Sequence, residues 1–144
     1  MDAIWQLSLK SRLREWRGFR KEIEILSVVD KLQAVVDFWK STPISARVID
    51  PYDQDTWPTP WEILHTNMYD ENVVALGIAY TLHYSNVDCR ILLIQSTQHQ
   101  EIKLIILVDE TYILNYNYGS IDTIEVMKEF EVLTDISIST LTES

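Results

Sequence analysis

A chain of 144 residues with 47% hydrophobic content suits one domain with one core, which excludes wholesale disorder. Its net charge of −10 argues against general nucleic-acid binding, because that binding works by neutralising phosphate. One cysteine, Cys89, excludes an internal disulfide framework and a Cys-rich zinc site, and no apolar run approaches the ~20 residues needed to cross a bilayer.

The chain begins with a mixed stretch, residues 1–9, and its basic residues follow that stretch instead of preceding an apolar core. That is not the pattern of a signal peptide, so a soluble intracellular protein is expected. Residues 3–19 predict a helix, with Ile4, Leu7, Leu13 and Trp16 at helical spacings. Gly18 is placed to end or bend it. Residues 10–21, KSRLREWRGFRK, hold six of the twelve basic residues against one acid, Glu15; from Glu22 onward six bases face twenty acids. This asymmetry divides the chain into a basic helical arm, 1–21, and a single α+β domain, 22–144. Two readings of the arm stay open. One is a surface helix with a solvated basic face. The other is an arm that docks on an acidic protein surface through Trp5, Arg12, Arg14, Trp16, Arg17 and Arg20, because Trp and Arg are the residue types enriched at interface hot spots. Contact with phosphate by the arm alone is a further, weaker reading.

Ser27 and Asp30 mark the start of a second helix over 28–41, with Val29, Leu32, Val36 and Trp39 on one face and Pro43 setting its end. Residues 42–58 are a long connection. Asp50, Asp53 and Asp55 resemble the opening of a calcium loop, but the glycine and the distal bidentate Glu are missing. An acidic solvated turn is the reading adopted, and no metal or cofactor is expected.

Thr59, Pro60 and Glu62 form a helix start, with proline where its missing N–H costs nothing. Trp57, Trp61 and Leu64 are expected to pin this short helix to the core, and His65 ends it. Asp70 or Asn67 then starts a central helix. Val73, Val74, Leu76, Ile78 and Leu82 wrap most of its circumference, which predicts burial on several sides. Past Ser85-Asn86 the period changes. Residues 89–95, 101–108 and 111–117 read as strands, with Asp109-Glu110 as a two-residue hairpin turn. Cys89 reads as a structural thiol at a strand start. Residues 123–133 are read as a helix in preference to a strand, Ile136 and Ile138 as a short edge strand, and 140–144 as a fraying end. The fold class expected is α+β: N-terminal helices, a central buried helix and a small antiparallel sheet of three to four strands.

No Gly-rich phosphate loop, H-E-x-x-H, C-x-x-C or G-x-S-x-G occurs. The three histidines, His65, His83 and His99, are 18 and 16 residues apart, a spacing that gives no support to a shared metal site.

A buried helix followed by an antiparallel meander resembles the core of the transglutaminase-like and papain-like fold, over about residues 67–118. The resemblance implies a nucleophilic Cys at the helix start, a His at the start of the next-but-one strand and an Asp or Asn on the following strand. It places the nucleophile near Tyr69-Asp70, where the chain has no thiol, and makes Asp70, His99 and Asn115 vestigial positions. The stretch WPTPWEIL, followed by YDENVVALGIAYTL, also resembles small proteins of tailed, T4-like contractile bacteriophages. That likeness implies a virion protein of the neck, tail or baseplate, assembled in the host cytoplasm, with other virion proteins or copies of itself as partners. The function expected is accordingly a non-enzymatic structural or assembly subunit of a phage particle, with catalytic residues absent. The alternative is a degenerate transglutaminase-like or papain-like enzyme acting on amides.

Overall fold

In the computed structural model, which describes residues 3–142, the four longest helices each begin where a polar side chain takes an orphan backbone N–H. A single turn, α1 (Ala3–Gln6), precedes α2 (Leu9–Glu22), whose N-cap Ser8 accepts from Ser11 N. Gly18 does not end that helix, which continues to Glu22. Helix α3 (Val28–Lys40) starts at Ser27, whose hydroxyl accepts from Asp30 N, and stops ahead of Pro43. Helix α4 (Pro60–Thr66) carries a full capping box between Thr59 and Glu62, with Pro60 in the first turn. It closes on Asn67 in the left-handed conformation (φ 54°). Helix α5 (Glu71–His83) starts at Asp70 and is buried at every position from Val73 to Leu82.

The sheet follows: β1 (Arg90–Ser96), β2 (Ile102–Val108), β3 (Tyr112–Leu114), β4 (Ile121–Thr123) and β5 (Phe130–Ser137). Its order is β4-β3-β2-β1-β5, with every neighbouring pair antiparallel. Asp109 and Glu110 both have positive φ (55° and 50°) and Thr111 N donates to Val108 O (3.0 Å), but Val108 pairs with Tyr112, so the connection holds 109–111 instead of the two residues expected. The class is α+β, with five strands instead of three to four.

The strand not expected is β4, since the expected strand over 111–117 stops at Leu114; β5 takes in the edge strand expected at Ile136 and replaces the expected helix over 123–133, which does not form. Residues Ile124–Glu129 make a 3-10 turn that lays Val126 and Met127 on the outer face of the sheet. From Phe130 the chain pairs along the free edge of β1, from Ser96↔Phe130 to Arg90↔Ser137, with an irregularity between Leu93 and Ile94. A ready ladder outweighs the weak helical spacing there. Ile138 opens a last turn, α6 (Ile138–Thr142), so the fraying expected for 140–144 is not seen at 140–142, while 143–144 lie outside the described residues.

Helix α5 lies against the inner face of the sheet and α3 covers it from the other side. The closest approach is at Gly77, where an added Cβ would come within 2.8 Å of the Trp39 ring. Thr81 sits one turn on. Its Oγ1 accepts from Trp16 Nε1 (3.0 Å) and Trp39 Nε1 (2.9 Å) and donates to Gly77 O (2.7 Å), so one hydroxyl serves two buried indoles. The basic segment is joined to this core: Trp5 and Trp16 belong to the same hydrophobic cluster as α3, α5 and β1. No helix among the described residues is long and apolar enough to cross a membrane.

Candidate functional site

The start of α5 is built by one carboxylate. Asp70 Oδ1 accepts from Val73 N (2.7 Å), which caps the helix; its Oδ2 accepts from Val48 N (2.7 Å) and Ile49 N (3.2 Å), which holds the long connection alongside. Ile44 bridges Tyr69 in parallel, and Ser45 N donates to Tyr69 O (2.7 Å). On the sheet side, Asn72 Oδ1 accepts from Leu104 N (2.9 Å). Asn115, itself left-handed (φ 67°), donates from Nδ2 to Glu71 O (3.2 Å) and accepts at Oδ1 from Gly119 N (3.2 Å).

Between these parts lies an open cleft of about 680 Å³. Ile44, Tyr52, Ile102 and Tyr118 form its walls, and Asp70, Glu71 and Asn72 its floor. Ile44 (47% exposed) and Tyr52 (63%) present apolar surface at the rim. The Glu71 side chain makes no hydrogen bond or ion pair within the described residues, so it is the uncommitted acid of the cleft. Tyr118 is committed: its hydroxyl pairs with Thr42 Oγ1 (2.9 Å) and donates to Lys40 O (3.0 Å), and burial pushes its pKa up.

The three positions singled out as vestigial do not make a catalytic set. Asp70 and Asn115 are both at the helix start, but their polar atoms are bonded to backbone. His99 stands apart from them. It is exposed in the turn between β1 and β2 and lines a separate hollow of about 230 Å³ with Thr97, Tyr116, Asn117 and Glu129. The start of β2, where the resemblance places a base, is Ile102 in the wall of the cleft. Cys89 is buried near the far end of α5, its Sγ donating to Ala79 O (3.8 Å), and burial pushes its pKa up to about 12, so it carries no thiolate near neutrality. Ser45 Oγ donates to Tyr69 O (3.1 Å) and Ala46 O (3.2 Å) with no base beside it. Tyr69 is buried, donates to Asn67 Oδ1 (2.8 Å), and has its pKa raised by burial. Asp50, Asp53 and Asp55 shape turns: Asp50 Oδ1 accepts from Tyr52 N (2.9 Å), and Asp53 Oδ1 from Asp55 N (3.1 Å). Among the described residues no group of three or more His, Cys, Asp or Glu is placed to hold a metal ion.

The residues singled out on the basic segment divide in two. Trp5, Arg12 and Trp16 face inward. Arg12 Nε donates to Leu64 O (2.8 Å) and its other nitrogens reach Leu7 O and His65 O, so this guanidinium joins α2 to α4. Arg14 and Arg17 face solvent, and Arg20 is half-buried. Sequence reasoning passed over Asn72, Glu71 and Ile102. The available signal was the D-E-N run at a helix start, where short polar side chains reach backbone N–H groups.

No protein-family model matches this chain, and no curated protein matches it in sequence. Among solved structures it is similar to LapG of Legionella pneumophila, including a calcium-bound form, at TM-score 0.74 and 16% identity over 93% of this chain and 80% of LapG. An EGTA-treated form matches equally well over 77% of its length. These neighbours overturn the expectation of a structural phage subunit and carry the fold likeness well beyond residues 67–118. At 16% identity the likeness establishes a fold and no activity: this chain has the fold of LapG.

Proposed function

We propose that this chain is a degenerate transglutaminase-like domain that binds an extended stretch of polypeptide in the cleft at the start of α5 and does not process it by cysteine chemistry. The observation that carries this reading is the state of the helix start. The cleft is open, yet the positions for nucleophile and base hold groups without that chemistry, namely Asp70 bonded to three backbone N–H groups and the apolar Ile102. Acyl transfer needs a nucleophile within hydrogen-bond reach of a base, and no such pair lines the cleft. What remains suits binding. Ile44 and Tyr52 offer apolar contact, and the uncommitted Glu71 carboxylate can accept from an amide N–H or a basic side chain.

An unstructured polypeptide such as reduced, carboxymethylated lactalbumin tests this by amide hydrogen exchange and gel electrophoresis. The polypeptide is expected to stay full-length, with protection gained at residues 44–52, 70–72 and 102. Ser45→Trp, which fills the cleft from an exposed position, should weaken binding about tenfold. Cleavage or deamidation that is lost in Glu71→Gln would make the protein an enzyme and overturn the proposal, as would protection confined to other surfaces.

A further inference from the structure

A second site lies at the opposite end of α5, about 20 Å along a helix of 13 residues. The Arg20 guanidinium stacks over the Trp16 ring, 4.1 Å from its centroid, and lies 5.3 Å from the ring of Tyr84, the C-cap of α5. Its platform is fixed. Trp16 is fully buried, held by its hydrogen bond to Thr81 and by edge-on packing against Trp61 (5.4 Å) and Tyr84 (6.2 Å). The guanidinium itself is unmet. It makes no hydrogen bond or ion pair within the described residues, and its Nε is buried without a partner. The other buried side-chain atom of this kind among the described residues is Ser85 Oγ, next in sequence to Tyr84. Lys31 Nζ donates to the carbonyl of Ser85 just beyond α5 (3.1 Å), while Arg20 bonds to no carbonyl there.

The surroundings give the missing partner a sign. Burial lowers the pKa of Arg20, and Arg17 one turn back lowers it further. Lys10, Arg14, Arg17, Arg20 and Lys21 form no ion pair among the described residues, whereas Lys40, Arg47, Arg90 and Lys103 do. Lys31 and Lys128 also form none, so most but not all of the cations without an ion pair are gathered on one helix of a chain with 22 acids and 12 bases. A stacked guanidinium whose Nε is enclosed still offers its outer nitrogens, and a planar fork of that kind matches a carboxylate. A long polyanion is disfavoured, because beyond the helix it would meet the acidic remainder of the chain.

We propose that Arg20, stacked on Trp16 beside Tyr84 and flanked by Arg17, is a receiving site for a side-chain carboxylate of an acidic partner polypeptide. A fluorescein-labelled oligoglutamate is the probe, with polarisation and tryptophan emission as readouts. The whole chain is expected to bind it with a change in emission, since the carboxylate meets the cation lying on Trp16. Arg20→Lys keeps the charge and loses the fork, and should weaken binding about tenfold. Arg17→Gln, at an exposed position, should weaken it about threefold. Both variants should keep the wild-type circular dichroism. No binding at low salt, or equal binding by Arg20→Lys, would overturn the site. Displacement by an equal concentration of oligothymidylate would make it a phosphate site. Self-association that disappears in Arg20→Lys would make the occupant a second copy, and would overturn the free acidic segment.

Discussion

The two ends of α5 use the same kinds of residue in opposite ways. At its start, Asp70, Asn72 and Asn115 spend their side-chain oxygens and amide N–H on named backbone groups. At its end, Arg20 Nε and Ser85 Oγ are enclosed with no partner. A saturated cluster is a frame. It holds the long connection, the helix and β2 in one arrangement, with those side-chain oxygens committed to backbone N–H groups. An unsaturated cluster carries a standing cost that a ligand can remove. The start of α5 is thus the structural end, and its other end holds the unmet polar groups.

Substitutions at each end can break that contrast. Asp70→Ala should have the largest effect, a loss of about 3 kcal/mol of stability in urea denaturation, because it removes a helix cap and strands two further buried N–H groups. A loss below ~1 kcal/mol would show that the frame is not held by this carboxylate. Asn115→Ala should cost about 2 kcal/mol, from the two hydrogen bonds it makes and from placing a Cβ residue without a local polar partner at positive φ. Ser85→Ala should cost close to nothing, or stabilise by a few tenths of a kcal/mol, because it deletes a buried hydroxyl that bonds to nothing. A clear destabilisation by Ser85→Ala would mean that this hydroxyl is satisfied in solution, and would remove one leg of the contrast.

The candidate site was legible in part. Asp70 as a helix start and the absence of a thiol beside it both follow from reading residues 67–84. The role of His99 did not follow. Its distance along the chain suited a base, but it lies three positions before Ile102, exposed in the turn between β1 and β2 and lining a separate hollow. Trp5, Arg12 and Trp16 were read as an outward anchor set because Trp and Arg are common at interfaces. The same side chains are large enough to fill a core, and composition cannot distinguish the two uses. Arg12 resolved toward the interior because the carbonyls of Leu64 and His65, at the end of α4, needed donors.

Local chemistry was enough to determine where helices begin and where chains turn. Ser27, Thr59 and Asp70 each cap the helix that follows, and Asp109-Glu110 makes its hairpin, because those outcomes depend on atoms a few residues apart. Only the tertiary structure decided the rest. Residues 130–137 became a strand because β1 had an unpaired edge to offer. Thr81 became the acceptor for two indoles because α2 and α3 meet over α5. Arg20 was left unmet because the elements that enclose its Nε bring no acceptor to it. Each of these depends on groups brought together from far apart in the chain, and the free energy of such a contact exists only once the core has closed.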